Sequence, residues 1–235
     1  MKKIGVLTLP TLTNYGGILQ AYALVYVLKK LGYDAWLINR RWNADNHSIL
    51  HRIKKVFYHL FVIRKFDKFC EEYIVPRTEE IDTRAKMDAI RQAGFVGYVV
   101  GSDQVWNTRF LLADPAFLLK FVADNKTKIS LSSSFAMKEI PSKYVRLFHD
   151  ELNKFKSISV REDNGVSIIT DCLKLDKNVK VALDPTLLLS KEQWLKLITR
   201  SSFKKKRPYI LLYMWTYAFE PRPYIFRVIE HYKKK

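Results

Sequence analysis

Cysteine is scarce in this sequence of 235 residues: Cys70 and Cys172 are the only two, far apart and outside any CxxC or metal-ligand spacing. That excludes a disulfide-stapled scaffold and a thiolate zinc site, and it suits reduced thiols in a cytoplasm. Glycine and proline are also few, 8 of each, which together with 48% hydrophobic and 14% aromatic residues excludes a collagen-like or disordered chain and predicts a packed core. No apolar run approaches the roughly 18 to 20 residues needed to cross a bilayer. The start, Met1-Lys2-Lys3-Ile4, leads straight into a short apolar stretch without a small-residue cleavage site, so the chain is expected to remain in the cytoplasm.

Several motifs are missing as well. GxGxxG, GxxxxGK[ST], HExxH and GxSxG do not occur, which leaves dinucleotide binding, P-loop chemistry, zinc proteolysis and serine hydrolysis without direct support. Of 5 histidines only His47 and His51 stand four apart, with no third ligand beside them, so no metal is expected.

Acidic residues are outnumbered, 23 against 41 Lys and Arg, and the formal net charge is +18. A field of that sign attracts phosphates, anionic sugars, nucleic acid or anionic lipid without choosing among them. It can equally reflect a lysine-rich half of a larger molecule. No nucleic-acid motif accompanies it, so specific nucleic-acid binding is not expected.

The organisation follows from hydrophobic period. Residues 4–9 form a continuous apolar run. The polar stretch 10–17 follows, and then Ile18, Ala21, Leu24, Val25, Leu28 and Leu31 recur at helical spacing up to Gly32. Residues 35–38 read as a second buried strand, and strand–helix–strand of this kind predicts a parallel sheet. Further strands are expected at 95–100, 128–132, 157–160 and 179–183, with helices at 83–93, 142–155, 164–173 and 191–199. Residues 48–69 mix apolar and basic side chains as one or two amphipathic helices. These could lie on an anionic membrane surface or simply bury one face and solvate the other. Residues 201–208, Ser-Ser-Phe-Lys-Lys-Lys-Arg-Pro, have the composition of an exposed linker. The domain reading is therefore 1–200, a linker at 201–208, and 209–235 as a strand and helix that open a second unit.

In open parallel sheets ligands bind beyond the carboxyl ends of the strands. Five expected strands end in Asn14-Tyr15-Gly16-Gly17, Gly101-Ser102-Asp103-Gln104, Ser132-Ser133-Ser134, Arg161-Glu162-Asp163-Asn164 and Asp184-Pro185-Thr186. The candidate binding residues are thus Asn14, Gly16, Gly17, Ser102, Asp103, Gln104 and Glu162. Arg161 leads them, because a guanidinium can clamp a carboxylate or phosphate through two parallel hydrogen bonds. Each has a plainer reading. The glycines could serve a tight turn, Arg161 could pair with Glu162 or Asp103, and Asp103 and Asp184 could cap turns.

The segments 14–24 (Asn-Tyr-Gly-Gly-Ile-Leu-Gln-Ala-Tyr-Ala-Leu), 100–107 (Val-Gly-Ser-Asp-Gln-Val-Trp-Asn), 159–162 (Ser-Val-Arg-Glu) and 183–188 (Leu-Asp-Pro-Thr-Leu-Leu), in this order, resemble the polysaccharide pyruvyl transferase family over about residues 3–190. The resemblance implies an α/β fold: a Rossmann-like parallel sheet with helices on both faces, one half of a GT-B-like architecture with its active site between two such halves. It implies transfer of pyruvate from phosphoenolpyruvate to a sugar of an exopolysaccharide, capsule or cell-wall glycan as a ketal. No further cofactor is implied. The expected partners are phosphoenolpyruvate and a glycan or lipid-linked sugar acceptor; peripheral contact at the inner face of the membrane stays open through the basic helices of 48–69. Arg161 matches a position expected to hold the donor, and Gly16, Gly17, Ser102 and Asp103 match the rim. The family's histidine and further basic residues belong to the second half, so the chain is expected to be truncated. Two other classes stay open: a nucleotide-sugar glycosyltransferase on the same scaffold, and a binding module for anions or nucleic acid.

Overall fold

Short apolar runs alternating with amphipathic stretches can bury both faces of a sheet only if helices cover them. The computed structural model of the chain has this arrangement, and it describes residues 1–11, 14–41, 64–111, 114–198 and 223–233. Six strands, β1 (Lys3–Leu7), β2 (Asp34–Leu37), β3 (Gly97–Val100), β4 (Thr127–Ser133), β5 (Ser157–Val160) and β6 (Val179–Val181), form one sheet in the order β2-β1-β3-β4-β5-β6. Every neighbouring pair is parallel. This is the expected Rossmann-like α/β class. The order reverses between β1 and β3, which is where such sheets open a crevice.

The helices are α1 (Tyr15–Lys30), α2 (Arg64–Tyr73), α3 (Arg84–Ala89), α4 (Thr108–Leu111), α5 (Ser142–Leu152), α6 (Asp163–Ser167), α7 (Lys191–Leu195) and α8 (Pro223–Lys233). Helix α1 begins where Asn14 Oδ1 accepts a hydrogen bond from the Gly17 amide at 3.1 Å. It ends at Gly32, whose φ of +87° suits glycine; there the Gly32 and Tyr33 amides donate back to the Lys29 and Leu28 carbonyls. Helix α7 is capped by Ser190. The Gln193 amide donates to Ser190 Oγ, and the Gln193 side chain accepts from the Ser190 amide, forming a reciprocal capping box.

The core sits on both faces of β1 and β3. All four residues of β3 are buried, and α1 covers the sheet with Ile18, Ala21, Leu24 and Val25. Trp106 is the largest fully buried side chain among the described residues. Its ring lies 5.1 Å from Phe135 and 6.3 Å from Phe155, and its indole N–H donates to the Phe117 carbonyl at 3.0 Å.

Some boundaries moved. β1 ends at Leu7 rather than at residue 9, and the next residue, Thr8, donates its hydroxyl to the Ser102 carbonyl. The expected helix over 164–173 is α-helical only to Ser167 and continues as a π-turn, Ile168–Cys172, which brings Ile168 and Ile169 into the core. Cys70 is buried, Cys172 is exposed and both are free; burial pushes the Cys70 thiol above its ordinary pKa. No helix among the described residues is long and apolar enough to cross a membrane.

The chain divides into two compact units, Met1–Trp194 and Leu195–Lys235. The second contains α8. The expected linker at 201–208, the strand at 209–214 and residues 48–63 of the basic helices lie outside the described residues.

Candidate functional site

The loop after β3 depends on a glycine. Gly101 has φ +111°, and a Cβ built on it would lie 2.3 Å from the Leu131 carbonyl oxygen and 2.7 Å from Ser133 Oγ, so no side chain fits. The Gly101–Ser102 peptide is cis. Asp103 follows with φ 81°, a left-handed conformation that aspartate tolerates better than most residues. Its carbonyl accepts from the Ser134 amide at 2.9 Å, tying the loop after β3 to the loop after β4.

A buried knot joins this loop to β1. Gln20, on the second turn of α1, donates from its amide nitrogen to Thr8 Oγ1 and to the Gly17 carbonyl, both at 2.7 Å, while its amide oxygen accepts from the Ser102 N–H at 3.0 Å. Thr8 Oγ1 in turn donates to the Ser102 carbonyl at 3.0 Å. The buried side chains of Thr8 and Gln20 and the Ser102 backbone are thereby hydrogen-bonded to one another. The knot also sets Gly17 opposite Asp103: a Cβ at 17 would stand 3.4 Å from Asp103 Oδ2. Asp103 Oδ1 accepts from the Gln104 amide at 2.8 Å, whereas no hydrogen bond to Oδ2 is made within the described residues. One carboxylate oxygen of Asp103 therefore faces the start of a 16-residue helix, whose dipole favours negative charge there.

The other wall is built by β5 and β6. Arg161 leaves β5 half-buried and donates from Nη1 to Asp184 Oδ2 at 3.2 Å. Asp184 Oδ2 also receives the Ser102 hydroxyl at 2.8 Å, and Asp184 Oδ1 receives the Thr186 N–H and hydroxyl at 3.0 and 2.8 Å. Burial pushes the Asp184 carboxyl up. The bonds from the Thr186 amide, the Ser102 hydroxyl and the Thr186 hydroxyl, with the Arg161 charge, outweigh that and hold it below the ordinary carboxylate value. Glu162 turns away from Arg161 and braces the loop after β4, accepting from Ser134 Oγ and the Phe135 amide at 2.9 Å each and from the Ala136 amide at 3.3 Å.

The structure thus brings the five strand ends to one rim. Of the eight candidates, Asp103, Gly16 and Arg161 keep exposure along its open side, Arg161 with 32% of its side chain exposed, whereas Gly17 is buried. Asn14 caps α1, and Gln104 accepts from the Asn107 amide nitrogen at 2.9 Å. Ser102 is fully buried, its hydroxyl 2.8 Å from Asp184 Oδ2 and 3.2 Å from the Ser132 carbonyl. Arg161 pairs with neither of the acids weighed from sequence, Glu162 or Asp103; its partner is Asp184, which is also the turn-capping residue. Sequence reasoning missed Thr8 and Gln20. The signal for Gln20 was present: a glutamine on the buried face of α1, between Gly17 and Leu24. Among the described residues no group of three or more His, Cys, Asp or Glu side chains is placed to hold a metal ion.

Chemically, the rim offers one guanidinium held at one end and one carboxylate oxygen with capacity to accept. Arg161 makes this single side-chain hydrogen bond among the described residues, so its remaining N–H groups are available to an anion. A family model described as polysaccharide pyruvyl transferase matches residues 14–233 of the chain. No curated protein and no solved structure matches it.

Proposed function

The chain belongs to the polysaccharide pyruvyl transferase family, and from that premise we propose that it serves the transfer of a pyruvyl group from phosphoenolpyruvate to two hydroxyls of a sugar in a cell-surface or exopolysaccharide glycan. Protonation of the donor's methylene carbon makes its C2 an oxocarbenium-like centre. One sugar hydroxyl adds there, phosphate leaves, and the second hydroxyl closes the ketal. Such a reaction needs a fixed cation for the donor's carboxylate or phosphate and an acceptor for the proton that each hydroxyl loses.

The single observation carrying this reading is the Arg161–Asp184 arrangement: a guanidinium anchored through Nη1 and half-open on its other side, at the carboxyl end of a parallel sheet. Arg161 binds the donor's anionic group, Asp184 and the Ser102 hydroxyl hold Arg161 in place, and Asp103 Oδ2 accepts from a sugar hydroxyl. Gly16, exposed on the first turn of α1, lets the acceptor approach the start of that helix. Because phosphoenolpyruvate is a cytoplasmic metabolite, the same reading places the protein in the cytoplasm or at the inner face of the membrane, where a lipid-linked acceptor is within reach.

Thermal denaturation of the full chain in the presence of phosphoenolpyruvate or of nucleotide sugars tests this, since a ligand of the folded state raises its Tm. The expected result is a rise with phosphoenolpyruvate that disappears in Arg161→Ala. A rise with nucleotide sugars alone would move the chain to glycosyl transfer.

A further inference from the structure

The amino ends of the last two strands carry a different concentration of charge. A groove of about 300 Å³ opens there, lined by Lys156, Ser157 and Ile158 at the start of β5 and by Lys177, Asn178 and Lys180 at the start of β6. It lies at the end of the sheet opposite the rim. Ile158 is buried beneath it, while Lys156, Ser157, Asn178 and Lys180 are exposed.

Carboxylates are available to lysines at this end of the sheet, and they are taken up elsewhere. Lys128 lies 3.6 Å from Asp124, and Lys154 lies 3.1 Å from Glu151 and 3.8 Å from Asp124. Among the described residues Lys156, Lys177 and Lys180 form no ion pair, although Asp176 is next in sequence to Lys177. Lys177 instead donates to the Phe155 carbonyl at 2.8 Å, which fixes its ammonium group at the side of the groove. A lysine on an edge strand can serve only to deter pairing with another sheet. That accounts for Lys180, on β6, but not for Lys156 and Lys177, which precede their strands.

Three ammonium groups outside any ion pair among the described residues, a serine hydroxyl and an asparagine amide together supply donors and positive charge, with no carboxylate lining the groove to oppose them. A single phosphate is smaller than the available space, and a volume at the lower end of ligand pockets suits a phosphate with a group attached to it. We propose that this groove is a second anion site, distinct from the rim, which binds a phosphate or diphosphate group, with Lys156, Lys177 and Lys180 as its cations. The group belongs either to a soluble phosphorylated compound or to a lipid headgroup at the membrane face. The proposal does not rest on the pyruvyl-transfer reading.

Titration calorimetry of the full chain with inorganic pyrophosphate at low salt is the test, using Lys156→Glu/Lys180→Glu, two exposed positions whose change leaves Lys177 on its carbonyl. Binding is expected in the wild type, weakened about tenfold or more in the double variant, with the Tm of the unliganded protein and the Arg161-dependent response to phosphoenolpyruvate unchanged. Cosedimentation with vesicles of phosphatidylglycerol separates the two sources. Vesicle binding that pyrophosphate competes away, and that the double variant loses, assigns a headgroup; pyrophosphate binding without vesicle binding assigns a soluble ligand. No pyrophosphate binding, or equal binding in the double variant, overturns the proposal.

Discussion

The two ends of one sheet are made differently. At the carboxyl ends, Thr8, Gln20, Ser102, Asp184 and Thr186 bind one another, and Arg161 is held by the last acid in that chain of contacts. At the amino ends of β5 and β6, lysines line a groove and face no carboxylate in it. The first end spends its polar groups on geometry and leaves a few atoms free, Asp103 Oδ2 and part of one guanidinium. The second leaves its charges free and fixes little. A preorganised rim of that kind suits chemistry on a positioned substrate, whereas a loosely framed basic groove suits retention of an anion.

The comparison can be broken most severely at Gly101. Gly101→Ala places a methyl group against the Leu131 carbonyl at a φ that alanine avoids, so destabilisation of more than about 4 kcal/mol, or loss of soluble protein, is expected in urea denaturation. A change under about 1 kcal/mol would mean that the rim is not rigid there. The next largest effect belongs to Asp184→Asn, which weakens the hold on Arg161 at a half-buried position. It should cost about 1–3 kcal/mol of stability and reduce the response to phosphoenolpyruvate, while pyrophosphate binding at the lysine groove stays as in the wild type.

The same residue gives the rim a pH signature. The Asp184 carboxyl is held below its unfolded value, so its contribution to stability is present above the ordinary carboxylate range and is lost as pH falls through the lowered folded value. Denaturation midpoints measured as the solution is acidified should fall less steeply in Asp184→Asn than in the wild type. An identical pH dependence in the two proteins would remove Asp184 from the account. The smallest effect is expected at the other end: Lys156→Glu/Lys180→Glu should change stability by no more than about 0.5 kcal/mol in denaturant, since neither side chain makes an ion pair among the described residues.

Much of this was legible in the sequence, for reasons that can be named. β3, β5 and α1 were readable because apolar period and turn residues agree, as where Gly32 stops α1. The rim was readable as a set of strand ends because Gly, Ser, Asp and Arg gather where parallel sheets bind ligands. The division of labour within it was not. Whether Arg161 meets Glu162, Asp103 or Asp184 depends on which loops the strand order brings side by side, and β5 lies between β4 and β6. Glu162 is drawn to amides of the neighbouring loop, information that no local spacing contains. The lysine groove was hidden in another way. The excess of 41 Lys and Arg over 23 Asp and Glu announced a basic molecule, but only the fold shows which lysines share acids and which do not.

In the function proposed for the rim, Arg161, positioned by Asp184, holds the donor. Calorimetric titration with phosphoenolpyruvate of the wild type, Arg161→Lys and Lys156→Glu/Lys180→Glu tests it most directly. The account predicts binding by the wild type, about tenfold or greater weakening in Arg161→Lys because an ammonium lacks the planar pair of donors, and wild-type affinity in the double lysine variant. Undiminished affinity in Arg161→Lys, or loss in the lysine variant, would contradict the account and move the donor to the opposite end of the sheet.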